Sequence, residues 1–210
     1  VKSAKYEKPE AGFWTEEEAR LFLRSTAKRR YHCLWLLAIR SGMREGELIA
    51  LKWPDLDLDR GLVHVRRTAT PFGENDPKSG AGNRTLPIDP ETVRALKKHR
   101  KAMMEETLRR GGKWSEHTPV FLTKTGNRLS AKLCRLSLDS AITAAGVKRI
   151  VFHGLRHTYA TILLRRGVNV NKVAKLLGHA NAATTLNTYG HVLPEDDAQV
   201  IAAISQAFEG

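Results

Sequence analysis

Six residues of this 210-residue chain sit at places where a chain commonly turns, and all carry groups able to bind or attack a phosphate. Arg44 follows a Ser-Gly helix stop, and Lys78 lies in a Gly- and Pro-rich turn between two β-like runs. His153 and Arg156 open a helical stretch, His179 follows Leu-Gly, and Tyr189 comes ten residues after it. Guanidinium, ammonium and imidazole groups hydrogen-bond or neutralise phosphate oxygens. A tyrosine hydroxyl becomes a nucleophile once its proton has an acceptor. Each residue alone also has a plainer reading. An isolated Arg usually makes a surface ion pair, a His after Gly commonly ends a helix, and a Tyr beside an apolar helix packs into the core.

Other chemistries fail on the same residues. His153 and His157 have the four-residue spacing of a helical zinc pair, but Gly154 stands where a general-base Glu would be, and no nearby Cys or carboxylate cluster offers a third ligand. GAGNRT at 80–85 lacks the third Gly and the Lys-Ser/Thr ending of a phosphate loop, and it bridges two strand-like runs instead of opening a helix. No G-x-S-x-G occurs. The expectation is a site with no metal and no cofactor.

The elements that must hold these residues are mostly helical. Thr15 and Glu18 form a capping-box signature ahead of ARLFL. YHCLWLLAIRSG reads as a buried helix stopped by Gly42, and REGELIAL as a short helix ended by Trp53-Pro54. LVHVRRT and RTLPI, with the turn FGENDPKSGAGN between them, predict a small antiparallel sheet. Asp89-Pro90 opens a helix through about Leu108, and VFLTKTGNRLS reads as a short extended element with a turn before a helix near 130–145. HGLRHTYATILLRRG, NKVAKLLGH, NAATTLNTYGH and EDDAQVIAAISQAF continue the helical pattern, with Ile162, Leu163, Val173, Leu176 and Leu177 as core faces. The fold class expected is mixed α/β, predominantly α-helical with a small antiparallel β-sheet.

Composition narrows the partners. Apolar residues make up 41%, enough for a packed core, and the formal charge is +13. The first 175 residues carry +17 and the last 35 carry −4, so the body attracts a polyanion while the tail suits protein contact. Nucleic acid leads the expected partners, ahead of an anionic membrane surface or a ribosome-like scaffold. The basic run from Arg94 to Lys113 and the cluster Arg24, Lys28, Arg29, Arg30 read equally well as solvated helix faces. No apolar run of spanning length and no secretory h-region occurs, and Cys33 and Cys134 stand far apart, which fits a reducing cytosol.

In their local contexts the six residues resemble those of the tyrosine recombinase, or phage integrase, family. SGMREGEL resembles the box that carries its first arginine, here Arg44, and PKSGAGNRTLPI the hairpin of its lysine, Lys78. HGLRHTYAT is similar to the H-x-x-R box, giving His153 and Arg156, and LLGHANAATTLNTYGH to the last stretch, giving His179 and the nucleophile Tyr189. The boxes run in family order from residue 41 to 191. Gly154 departs from the acidic residue that many members carry after the histidine. The resemblance implies the integrase catalytic-domain fold and a site-specific recombinase that cuts and rejoins double-stranded DNA through a 3′-phosphotyrosyl link. Arg44 and Arg156 would neutralise the phosphate, His153 accept the phenolic proton, Lys78 protonate the 5′ oxygen, and His179 donate to the phosphate.

Two other readings compete with this one. A type IB topoisomerase-like enzyme uses a similar residue set, but the apolar VIAAISQAF after Tyr189 looks like a helix for docking on a neighbour, as in recombinase tetramers. A non-catalytic DNA-binding module would predict loss of some of the six positions, and all are filled. The expected organisation is a linker at 1–12, a catalytic domain at 13–193 and a C-terminal helix at 194–210. The family's N-terminal core-binding domain is absent from this chain, which suggests a fragment of a longer protein. The partners expected are DNA, further copies in a homotetramer on synapsed DNA and accessory DNA-bending proteins, with no membrane, in the cytoplasm at the nucleoid.

Overall fold

The computed structural model describes residues 12–70, 73–75, 82–192 and 205–207. The expected linker up to residue 11, the Lys78 turn and most of the 194–210 segment lie outside the described residues, and 205–207 are helical.

Helix α1 (Glu16–Ser25) begins where the capping box predicts. The Thr15 hydroxyl accepts from the Glu18 amide at 3.2 Å, and the Glu18 carboxylate accepts from the Thr15 amide at 2.8 Å. Such a cap stabilises a helix start by about 1 kcal/mol. Ahead of it, Trp14 is fully buried and donates its amide to the Thr158 hydroxyl, 144 positions away, at 3.0 Å. Helix α2 (His32–Ser41) is buried almost all round, because it runs through the centre with α1 and two later helices packed on it. A short helix, α3 (Glu45–Ala50), follows directly.

The β region forms two small sheets rather than one. Strands β1 (Leu56–Asp57), β2 (Leu62–Val65) and β5 (Arg84–Pro87) make an antiparallel sheet in the order β1-β2-β5, with the buried pair Val63 and Leu86 in register. Strands β3 (Thr68–Thr70) and β4 (Gly73–Asn75) form a separate hairpin that lies on α3. Gly46 permits that approach, since a Cβ there would stand 2.8 Å from the Ala69 carbonyl oxygen.

Helix α4 (Pro90–Arg109) is capped by Asp89, which accepts from the Glu91 and Thr92 amides, and its basic run is exposed, with Lys97, Arg100 and Arg110 each ion-paired. Arg30 likewise pairs with Glu106, so for these residues the plainer reading holds. The stretch from Val120 to Ser130 contains no strand, only a single bridge from Leu122 to Arg128 around a turn. Across that turn Thr123 donates to the Asn127 carbonyl and Leu129 to the Phe121 carbonyl, and Val120 donates outward to the Leu51 carbonyl.

Helices α5 (Ala131–Ala145), α6 (Phe152–Arg165), α7 (Val170–Leu177) and α8 (Ala182–Tyr189) complete the described fold. A large core surrounds α2, and a smaller one joins Tyr159, Leu164, Val173, Leu177 and Tyr189. Of the five apolar positions expected to be core, Val173 and Leu177 are buried, whereas Leu163 and Leu176 pack at the margin and Ile162 is half-buried. Helix α6 spans both cores, and the candidate site lies where they meet.

Candidate active site

The site is assembled where two left-handed glycines and one helix start converge. Gly42, at φ 63°, ends α2 and delivers Arg44 to the start of α3. A Cβ at Gly42 would run into the Tyr159 ring, so the turn and the packing both require glycine. Gly178, at φ 67°, ends α7, and the His179 amide bonds back to the Ala174 carbonyl at 3.0 Å in a Schellman-type cap. His153 lies in the first turn of α6, and Arg156 follows one turn later on the same face.

The C-terminal carbonyls of α7 gather the arginines. Arg84 Nε donates to the Leu176 carbonyl at 2.7 Å, Arg156 Nη2 to Leu177 at 2.6 Å, and Arg44 Nη2 to Gly178 at 3.3 Å. A helix leaves its last carbonyls without intrahelical donors, and they form the negative end of its dipole, so cations bind there. Arg156 also donates Nη1 to the Gly42 carbonyl at 2.9 Å, which ties the α2 turn to the α7 turn through one side chain that is 2% exposed.

Glu47 completes the brace. Its Oε1 accepts from Arg44 Nη1 at 3.0 Å and Arg84 Nη1 at 2.9 Å, while Oε2 accepts from Arg84 Nη2 at 2.9 Å and the Arg44 amide at 2.8 Å. Burial alone would raise its pKa, but the hydrogen bonds and charges of Arg84 and Arg44 outweigh that and hold the carboxyl below its ordinary value. Glu47 and Arg84 were not singled out from the sequence. Signals for both were present. Glu47 is three residues after a residue that starts a helix, and Arg84 shares a strand face with the buried Leu86.

Three guanidiniums around one carboxylate leave the cluster with excess positive charge. Burial first, then the charge of Arg44, lowers Arg156 to about 9, so it stays charged at neutral pH. The imidazoles feel the same field. Desolvation and then Arg156 and Arg44 lower His153, while desolvation and then His153 and Arg156 bring His157 to about 4. Desolvation and then Arg156, Arg44 and Arg84 bring His179 to about 4. An anion placed here would satisfy all of these groups at once.

Tyr189 ends α8 and is 4% exposed, and burial pushes its phenol up to about 12 against the opposing charge of Arg156. The His157 ring lies between His153 and Tyr189, with centroids 4.7 Å from the first and 5.3 Å from the second. His157 was assigned no chemistry from the sequence, and its place between these two rings is a finding of the tertiary structure. The structure therefore brings together Arg44, His153, Arg156, His179 and Tyr189, while Lys78 lies outside the described residues. A recess of about 880 Å³ borders Arg44, His153 and Arg156 and extends past Arg135 and Arg149. Gly154 has a structural reason: a Cβ there would collide with the Gly12 carbonyl and stand 2.9 Å from Ile150 Cβ, so an acidic side chain has no room. Among the described residues no group of three or more His, Cys, Asp or Glu could hold a metal, and no helix is long and apolar enough to cross a membrane.

Comparison with known proteins shows the family and the fold. The family model described as the phage integrase family matches residues 13–196. A protein named "Tyrosine recombinase XerC-like" from Caldanaerobacter subterraneus subsp. tengcongensis is 33% identical over 211 residues, covering 93% of this chain and 54% of its own length. The fold resembles that of the Tn1549 transposon integrase in complex with circular intermediate DNA, at a TM-score of 0.74 and 21% identity over 94% of this chain and 68% of that one. It also resembles the catalytic domain of bacteriophage HP1 integrase, at a TM-score of 0.63 and 17% identity over 96% of this chain and 99% of that one. The chain spans about half the length of the curated relatives it matches.

Proposed function

The chain belongs to the phage integrase family, and from that premise we propose that it is the catalytic part of a tyrosine-type site-specific recombinase acting on double-stranded DNA. The observation that carries the reading is the cluster of Arg44, Arg156 and His179 around one excess of positive charge, with Tyr189 beside it.

The proposed chemistry uses those residues together with His153 and Lys78. The guanidiniums of Arg44 and Arg156 receive the two non-bridging oxygens of the scissile phosphate, and His179 adds a hydrogen bond. Tyr189 Oη bonds to phosphorus as the bond from phosphorus to the 5′ oxygen breaks, which stores the ester as a 3′-phosphotyrosyl link. The phenolic proton goes to His153, which is neutral at pH 7, and Lys78 supplies a proton to the departing 5′ oxygen. Because Tyr189 is buried with its ring tilted against His157, its hydroxyl must turn outward before attack. Attack by the 5′ hydroxyl of another strand reverses the steps and exchanges partners. Removing one preorganised donor costs about 3 kcal/mol of barrier, roughly a hundredfold in rate.

Assembly as a homotetramer on synapsed DNA, a role for 194–210 in docking on a neighbour, help from DNA-bending proteins, a place at the nucleoid and origin in a mobile genetic element all belong to this reading. The test uses a pool of nicked duplexes of random sequence, with covalent adducts trapped in denaturant and sequenced. Adducts that map to Tyr189, followed by strand exchange between two selected duplexes, support a recombinase. Adducts without exchange between duplexes favour a topoisomerase-like enzyme, and binding without adducts would leave only a DNA-binding module.

A further inference from the structure

The hydroxyl of Thr185 approaches His179 Nδ1 to 2.8 Å. Thr185 lies in the first turn of α8 and is fully buried. Its hydroxyl oxygen has no other hydrogen-bond partner among the described residues. Two arrangements are open to the pair. Either the hydroxyl donates to an unprotonated Nδ1, or a protonated Nδ1 donates to the hydroxyl oxygen. In the second arrangement the hydroxyl's own hydrogen is left buried without an acceptor, which proteins avoid. In the first, both the hydroxyl hydrogen and Nδ1 are satisfied, and the ring's one proton resides on Nε2.

Desolvation first, and then the charges of Arg156, Arg44 and Arg84, oppose a second proton, so the imidazole is neutral at physiological pH and carries a single N–H. Which nitrogen bears it then decides whether the ring can donate outward or only inward. The ring is also fixed from behind, since the Schellman cap at Gly178 holds the His179 backbone and α8 is capped at Asn181, which accepts from the Ala183 amide at 2.8 Å.

We propose that Thr185 is a positioning residue that locks His179 in the Nε2–H tautomer, so that Nε2 is the atom that donates to the scissile phosphate. The inference rests on the reading of His179 as a phosphate donor and adds the hydroxyl that makes it one. In that role Thr185 touches no substrate. It acts by withholding the wrong tautomer, as a hydrogen bond on one imidazole nitrogen sets the state of the other.

The test has one arm that needs no DNA. Long-range proton–nitrogen correlation spectra of ¹⁵N-histidine-labelled 210-residue protein, with His179 assigned by comparison with His179→Asn, should show a pyridine-type Nδ1 and a pyrrole-type Nε2. A pyrrole-type Nδ1 in the parent overturns the proposal whatever the variants do. Thr185→Val should give a mixture of tautomers, and Thr185→Ser should restore the parent pattern. In the second arm, the rate of adduct formation on the randomised nicked-duplex pool should fall about tenfold in Thr185→Val and return in Thr185→Ser, the size expected for one hydrogen bond. A slowed Thr185→Val with unchanged tautomers would reduce Thr185 to packing and also overturns it. Failure of the underlying reading looks different: His179→Ala would then form adducts as fast as the parent, although the spectra still showed Nε2–H.

Discussion

Arg156 donates to the Leu177 carbonyl across 2.6 Å, and through that bond the guanidinium on α6 is aimed by the end of α7. Since its other arm reaches Gly42, two distant turns hold one side chain. Lysine cannot copy this, because it offers a point charge and not a planar fork. Arg156→Lys should therefore slow single-turnover cleavage by about a hundredfold or more. It should also lower stability by about 1–3 kcal/mol through a buried carbonyl left unpaired. Denaturant unfolding and rapid-quench cleavage measure the two effects, and parent-like cleavage in the Lys variant would remove the fork from the mechanism.

Tyr189→Phe should abolish the covalent adduct while DNA affinity, measured by fluorescence anisotropy, changes little. The hydroxyl is the proposed nucleophile, whereas the ring's packing beside His157 is retained by phenylalanine. An adduct that persists in this variant would place the nucleophile elsewhere.

Glu47 makes stability depend on acid. Its folded-state pKa lies below the ordinary value of 4.5, so its ionised form stabilises the fold above that value and the contribution is lost as pH falls through the folded pKa. Glu47→Gln should destabilise the protein at pH 7 by about 3–5 kcal/mol, the cost of breaking a buried charge brace. The gap between variant and parent should close as the pH is lowered below 4.5. Unfolding free energies at a series of pH values test this, and a gap that stays constant into acid would contradict it.

Histidine titrations report the burial of the cluster and its field together. In the free protein His157 and His179 should titrate near 4 and His153 below 6.5. Adding inorganic phosphate should raise the His179 midpoint, since an anion offsets the charges of Arg156, Arg44 and Arg84. The measurement is a pH series of imidazole resonances. A His179 midpoint at or above 6.5 without phosphate would mean that neither burial nor the guanidiniums govern it.

Lys78→Ala should slow cleavage of an ordinary phosphodiester far more than cleavage of a substrate with sulfur in place of the bridging 5′ oxygen. A thiolate leaves without a proton, so the general acid becomes dispensable. Equal slowing on both substrates would assign Lys78 to binding.

What could be read in advance was whatever short-range chemistry dictates. The cap of α1 follows from Thr15 and Glu18, the stop of α2 from Gly42, and the start of α4 from Asp89-Pro90, because each satisfies backbone groups within a few residues of itself. The spacing of Arg44, His153, Arg156, His179 and Tyr189 was legible for a related reason, since each stands at such a helix boundary or within one turn of it. The short extended element and turn around Leu122 follow the same rule, since Thr123 bonds to Asn127 and Leu129 to Phe121 within the stretch, while the bond from Val120 to Leu51 depends on the rest of the chain.

The sequence by itself determined the residue types of the site, the helix ends that present them and the sign of the field they create. Only the tertiary structure decided that Arg84 and Glu47 belong among them, that α7 offers its last carbonyls to three arginines, and that His157 stands between His153 and Tyr189. The hydrogen bonds among them join residues 21 to 134 positions apart, from Arg156 with Leu177 to Arg44 with Gly178. Local propensity carries no information about such pairs, because the carbonyls and guanidiniums meet only after the two cores have packed against α6.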